Sequence, residues 1–201
     1  MLSAFIDGLG LESADLVAHD SGATIARVLA SEQPERFPRF VLFDTEVPGH
    51  TPGIVAMMQR AFRLPGAAAL FGTLLRSRRL RRLRLVFGNA AYDHRALDIE
   101  EMFETVTRPL LASPEQLRAA MRFVVQFDMR EVGLIPHQRL TMPKMILWGE
   151  RDAFFPLAKG RELYERLPEP RRFAGIARCG VFPQEERPAE WLASVQPFLA
   201  A

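Results

Sequence analysis

Cysteine is nearly absent. Cys179 stands alone among 201 residues, which excludes a disulfide framework and a cysteine-built metal cluster. Long hydrophobic runs are missing as well: the longest apolar stretch, GAAALFGTLL, is about half of what a membrane span requires. The first residues, MLSAFIDGLGLESA, contain no basic segment and carry Asp7 and Glu12, unlike a secretory signal. The four histidines (His19, His50, His94 and His137) are scattered without ligand spacing, so neither a metal nor another cofactor is expected. No internal repeat or low-complexity linker interrupts the chain. A cytoplasmic protein is the default expectation, with no membrane and no nucleic acid as partner.

What is present is an ordinary globular composition, 48% hydrophobic and 25% charged, with a net charge of only +2. The length suits one domain, or a core carrying one large insertion. The pI of 9.1 reflects a local surplus of arginine. RSRRLRRLR, from Arg76 to Arg84, holds six of them. Leu80 and Leu83 break the run at helical spacing. It therefore reads as the solvated face of an amphipathic helix rather than a surface for nucleic acid or acidic lipid.

Periodicity divides the chain. Residues 2–9 have helical spacing and stop at Gly8 and Gly10. ADLVAH (14–19) and RFVLFDTE (39–46) read as buried strands without polar alternation, as in a parallel sheet covered on both faces. SGATIARVLASEQPERF, between them, reads as a helix ending before Pro34. From about Pro52 to Ile135 only helical segments appear: GIVAMMQRAF, GAAALFGTLLRS, IEEMFETVTRPLL and SPEQLRAAMRFVVQF. The last opens with Ser113 before Pro114, an N-cap signature. Then the strand–helix rhythm returns with KMILWG, PLAKGRELYERL, RRFAGIA and RPAEWLASVQPFLA. The expected class is α/β, with a parallel core of about four strands formed by residues 1–49 and 141–201. An all-helical segment, 50–140, divides it.

Two stretches carry chemistry. In LVAHDSGATIA a strand passes through a tight turn into a helix, which lifts one side chain above the sheet and crowds the backbone two residues to either side. Lifting Asp20 places Ala18 and Gly22 at those positions, which fit. Lifting Ser21 places His19 there, which does not. Asp20 is the nucleophile candidate; an ordinary helix N-cap is its plainer role. In LWGERDAFFP, Asp152 falls just past a buried strand, where carboxylates of parallel sheets point into the functional crevice. It could equally cap the following turn.

With these stretches in place the chain resembles the α/β-hydrolase fold, of the haloalkane dehalogenase and epoxide hydrolase type. AHDSGA is similar to that group's aspartate elbow, WGERDAFFP to its acid loop, and RCGVFPQEERPAEW to its histidine loop. Residues 50–140 correspond to its cap. The resemblance implies a hydrolase acting on carbon–halogen, epoxide or ester bonds. Asp20 would attack an electrophilic carbon of a small apolar organic substrate, and Asp152 would serve as the acid.

Three departures qualify this. Val181 stands where the family has its histidine, so the water-activating base is absent; His137, at the return to the core, is a poor substitute. The chain starts at the helix before the elbow strand, so it corresponds to the C-terminal half of the fold, N-terminally truncated. Only the backbone N–H of Ser21 remains as an oxyanion donor. Ser21 also replaces the tryptophan that helps to hold a halide. Glu46 matches the alternative acid position of some dehalogenases, or caps the turn at Pro48. A carboxylate nucleophile is expected to be ionised at neutral pH and to need no base for the first step. Impaired or absent turnover is therefore the expectation. The alternative is a non-catalytic binder of a small apolar ligand in a cap pocket containing Met57, Met58, Phe62, Phe103, Phe123 and Phe127. The elbow strand, lacking one neighbour, is expected to promote self-association through its edge.

Overall fold

A computed structural model describes residues 2–83, 91–93 and 95–201. Helix α1 (Leu2–Gly8) leads into strand β1 (Leu16–His19), helix α2 (Asp20–Glu32) and strand β2 (Phe40–Phe43). Strand β3 (Lys144–Gly149), helix α8 (Leu157–Arg166) and strand β4 (Arg171–Ile176) follow much later, and α9 (Pro183–Glu186) and α10 (Pro188–Ala200) close the chain. The four strands form one wholly parallel sheet in the order β1-β2-β3-β4. Two strands precede the helical insertion and two follow it. Their carboxyl ends therefore share one edge, although β2 and β3 lie far apart in sequence.

The sheet is built on the two-residue alternation of side chains. Phe40, Leu42, Ile146 and Trp148 face one side, where they pack with Ala23, Ala26 and Ala30 of α2 and Leu163 of α8. Val41, Phe43, Met145 and Leu147 face the other, against Val195 and Phe198 of α10. Every residue of β2 and β3 is buried, as their unbroken apolar runs require. A Cβ at Gly160 would come within 2.4 Å of the Trp148 ring, so glycine is what lets α8 lie this close to β3.

β1 and β2 are shorter than the sequence suggests. Asp20 and Asp44 take φ of +50° and +40°. A strand cannot continue through left-handed backbone, so β2 stops at Phe43 rather than running to Glu46; β1 ends at His19 as read and is shorter only at its start, Leu16. Among the described residues β1 pairs only with β2, and Val17 on it is 43% exposed. Phe5, Leu9, Ile25 and Val28, on or just after α1 and on α2, are exposed nearby in sequence.

Between β2 and β3 the described residues contain helices and no strand. These are α3 (Gly53–Ala61), α4 (Ala67–Arg76), α5 (Ile99–Met102), α6 (Arg108–Leu110) and α7 (Pro114–Gln126). Ser113 caps α7 as expected, its Oγ accepting from the Gln116 N–H at 3.1 Å. The single helix expected over IEEMFETVTRPLL is instead α5 and α6 joined by a π-helical stretch, Phe103–Thr107. Pro109 has no N–H for the Thr105 carbonyl, and the wider turn precedes it.

The arginine run corrects the sequence reading most plainly. It is not the solvated face of a helix. Only Leu80–Arg82 form a short 3₁₀ turn, and Arg78, Arg81 and Arg82 converge on Glu100. Arg81 is buried, its guanidinium 3.8 Å from the Phe103 ring centroid. Charge pairing and ring stacking turn Arg81 inward, while Arg76, Arg78, Arg79 and Arg82 stay exposed as the sequence reading expects. Arg84 and His94 lie outside the described residues. No helix among the described residues is long and apolar enough to cross a membrane.

Candidate active site

Asp20 begins α2 directly after β1, and its φ of +50° is a conformation that non-glycine residues rarely adopt. Such a residue costs about 1–3 kcal/mol and persists only where its surroundings hold it. Here they do. Thr45 Oγ1 lies 2.8 Å from the Asp20 carbonyl oxygen. On the preceding residue, the His19 ring stacks on Phe43 at 4.9 Å and its Nε2 lies 2.6 Å from the Val181 carbonyl. Burial holds His19 down at about 4, so its ring is neutral at physiological pH. The crowding expected at Gly22 is not found, since a Cβ there would meet nothing within 4 Å.

Asp152 follows β3 and is buried. Its Oδ1 accepts from the Phe154 and Phe155 N–H groups at 2.7 and 3.0 Å, while Oδ2 has no partner. This is the turn cap foreseen as its structural role, with one oxygen left over. His50 joins the same loop, its Nε2 2.8 Å from the Phe154 carbonyl. The loop carrying Val181 lies directly over the end of β3. A Cβ at Gly149 would fall 1.9 Å from the Gly180 oxygen, and the Arg151 N–H donates to Cys179 at 2.8 Å. The Val181 side chain is 1% exposed and belongs to the apolar cluster of α2, β3 and Phe155. Valine there is core packing.

Glu46 does not meet an imidazole. Its Oε1 accepts from Ser21 Oγ and its Oε2 from Thr24 Oγ1, both at 2.6 Å. The buried Arg27 guanidinium donates to Thr24 Oγ1 and to the Glu46 carbonyl, each at 2.7 Å, and reaches His137 Nε2 at 3.2 Å. Burial brings Arg27 down to about 10, so it remains charged at neutral pH. His137 falls to about 4 through burial and the neighbouring Arg27. It is a neutral acceptor behind the elbow, tied to Arg27.

The sequence reading passed over Asp44. It is wholly buried after β2, and its Oδ1 accepts from the Gly149 N–H at 2.9 Å across the gap to β3. Its Oδ2 is without a partner, like that of Asp152. The rule that singled out Asp152, a carboxylate at the carboxyl end of a parallel strand, applies equally to Asp44. Glu186 was missed with no comparable signal. It accepts from Gly180 N–H at 2.8 Å through Oε1, and from Tyr92 and Asp93 N–H at 2.9 and 3.0 Å through Oε2. It thereby staples the helical insertion to the Val181 loop.

Asp20, Asp44 and Asp152 thus stand near one edge of the sheet, and their proton affinities rise. Burial, then the charges of Glu46 and Asp152, raise Asp20 to about 7, against a smaller opposing effect of the Ser21 N–H. Burial raises Asp152 to about 6. Asp44 is raised well above the carboxylate range, by burial first and the Asp152 charge second. The expectation of a fully ionised Asp20 is corrected accordingly: near pH 7 a large fraction carries a proton. Among the described residues no cluster of His, Cys, Asp and Glu is arranged to hold a metal ion.

Residues 1–188 match the profile of the family described as alpha/beta hydrolase fold. A 2-hydroxy-6-oxononadienedioate/2-hydroxy-6-oxononatrienedioate hydrolase of Paraburkholderia phymatum is 25% identical over 201 residues, covering 99% of this chain. The chain spans 66% of that relative's length. Among solved structures, an epoxide hydrolase superposes with a TM-score of 0.77 at 18% identity, over 99% of this chain and 72% of that one. A putative ancestral haloalkane dehalogenase does so at 0.73 and 25% identity, over 100% and 74%. The relatives differ in the reactions their names describe, but the family profile covers nearly the whole chain, and this chain belongs to the alpha/beta hydrolase fold family.

Proposed function

We propose that Asp20 is a carboxylate nucleophile that captures a small, apolar, electrophilic organic molecule as a covalent ester. Residues 1–49 and 141–201 act as the core, and residues 50–140 as a cap. The observation that carries this reading is the pairing of a strained Asp20 with Val181. The first offers an oxygen nucleophile at the end of β1. The second offers no proton acceptor in the loop above. An epoxide or alkyl halide has an electrophilic carbon that a carboxylate can attack without a separate base. Hydrolysis of the ester needs an activated water, and the nearby neutral histidines, His19 and His137, are committed to other partners. The chain would then perform the first half of a hydrolytic cycle and stop.

The names of the relatives, spanning dienoate hydrolases, an epoxide hydrolase and a haloalkane dehalogenase, support a hydrolytic ancestry without selecting a substrate. A second reading is supported by a cavity of about 490 Å³ between α3 and α4, lined by Met57, Met58, Phe62, Leu70 and Phe71. It would suit a non-catalytic binder of an apolar ligand, at a place removed from Asp20.

The test is stoichiometric. Incubated with excess of a reactive alkyl bromide, the protein is expected to gain a single alkyl mass and release a matching amount of bromide, with none following. Labelling should rise with pH through about 7, as Asp20 loses its proton. Sustained bromide release, or saturable ligand binding with no adduct, would overturn the nucleophile reading.

A further inference from the structure

Asp44 and Asp152 form an arrangement that neither packing nor the nucleophile explains. β2 and β3 are in register, with Phe43 beside Leu147, so the residues that follow them come together. Each carboxyl has one oxygen fixed by backbone N–H groups: Gly149 for Asp44, Phe154 and Phe155 for Asp152. Each has a second oxygen that is buried without a partner, and Gly149 bridges the two residues, its N–H donating to Asp44 Oδ1 at 2.9 Å and its carbonyl accepting from the Asp152 N–H at 3.2 Å. Two ionised carboxylates are disfavoured there, because neither has a cation or donor for the free oxygen. One proton between them satisfies both atoms.

We propose that Asp44 and Asp152 hold one proton between their free oxygens, and that this pair donates it to the alkoxide formed when Asp20 opens an epoxide. This rests on Asp20 as the nucleophile. An Asp20 oxygen bonds to a ring carbon, the ring C–O bond breaks, and its electron pair goes to the ring oxygen. That oxygen takes the proton from Asp152, whose neighbour Asp44 is the deeper member, at 0% exposure against 6%. The charge on the site is unchanged, since Asp20 becomes a neutral ester as the pair becomes doubly ionised. The pair recovers its proton from solvent.

The directions of the shifts suit this sequence. Burial raises Asp20 to about 7, and burial together with the Asp152 charge pushes Asp44 up from the ordinary carboxylate value. The surroundings that bear on the pair are mixed. Asp20 faces it from α2, and Glu186 from α9. Cys179, whose thiol is also near Arg187, faces it from the loop before α9. His50 touches the acid loop through the Phe154 carbonyl and, edge-on, the Phe155 ring.

Labelling by an epoxide needs a proton, and labelling by an alkyl bromide does not. Both rates should be measured by intact mass from pH 5 to 9 in the native protein and in Asp44→Asn, whose amide can still donate to Asp152 but has no acidic proton to give. In the native protein, epoxide labelling should rise through about 7 and fall at higher pH, while bromide labelling rises and stays level. In Asp44→Asn, epoxide labelling should drop at least tenfold and bromide labelling should stay within twofold. Equal rates with both reagents in the variant, or equal losses, overturn the proton-donating pair. Absence of bromide labelling in the native protein overturns Asp20 as the nucleophile, and this proposal with it. Independently of how the variant folds, infrared spectra of the native protein should contain a protonated-carboxyl C=O stretch at neutral pH; its absence overturns the shared proton.

Discussion

Two regions at the end of β2, separated by one residue, handle buried negative charge in opposite ways. Around Glu46, both carboxylate oxygens are met by the hydroxyls of Ser21 and Thr24, and a buried arginine stands behind them. Around Asp44, one oxygen is held by a backbone N–H and the other is buried without a partner. A charge fully provided with donors belongs to the architecture: Glu46 locks the first turn of α2, and with it the elbow, onto β2. A carboxyl left short of donors keeps a proton instead. Burial alone distinguishes nothing here, because both are inside. Whether each oxygen has a partner does.

The comparison is broken most forcefully by removing one carboxyl from each region. Glu46→Ala leaves Arg27 buried without its compensating charge and is expected to destabilise by about 3–5 kcal/mol. Asp44→Asn exchanges a neutral acid for a neutral amide of the same shape and should change stability by no more than about 1 kcal/mol. Urea unfolding of both variants checks this; a larger loss in Asp44→Asn would reverse the assignment of roles.

A pH scan sharpens it. Asp20 and Asp152 have folded values of about 7 and about 6 against an ordinary 3.8. From about pH 4 to 7 the folded state therefore binds more protons than the unfolded one, and these groups make stability fall as pH rises. His19 and His137, at about 4 in place of 6.5, act in the opposite sense between those two values, and their contribution is complete above 6.5. The carboxyls then act alone until Lys144, lowered by burial from 10.5 to about 8, begins to lose its proton and to raise stability again. The melting temperature is expected to fall between pH 6.5 and 8, and to fall less in Asp20→Asn. A melting temperature that rises over that interval would contradict the raised carboxyls.

The other side of the sheet offers a smaller effect. The outer edge of β1 is unpaired among the described residues, with Val17 exposed on the strand and Ile25 and Val28 on α2. We propose that two copies pair through it. Sedimentation should reveal association that strengthens with concentration and weakens in Val17→Lys, which places a charge on that edge. A stable monomer at all concentrations would oppose the proposal. The smallest effect is expected from Val181→His. The new ring would enter an apolar cluster. Even well placed, it supplies a base and no oxyanion donor, a group whose loss can cost roughly a hundredfold. Product release above one per chain should stay slow.

The strands of this fold were legible because parallel, doubly covered strands leave unbroken apolar runs such as FVLF and KMILWG. The elbow was legible because a sharp strand-to-helix turn limits which residue can be lifted. Asp44 meets the rule applied to Asp152 only because β2 ends at Phe43; the apolar run RFVLFDTE, read as a strand through Glu46, places it inside the strand. The arginine run was misread for a different reason. Its partner, Glu100, and the Phe103 ring come from a later helix, and local spacing carries no trace of a contact made across the fold. The protonation of Asp20 was hidden likewise, since it depends on charges from β2 and β3.

The claim at the centre of this account is that Asp20 is the nucleophile and that its ester endures. Peptide mapping after treatment with a reactive alkyl bromide, repeated once the reagent has been removed, addresses it directly. The account predicts a single adduct on Asp20, undiminished with time and absent from Asp20→Asn. An adduct that survives Asp20→Asn, or one that disappears from the native protein as product accumulates, would contradict it.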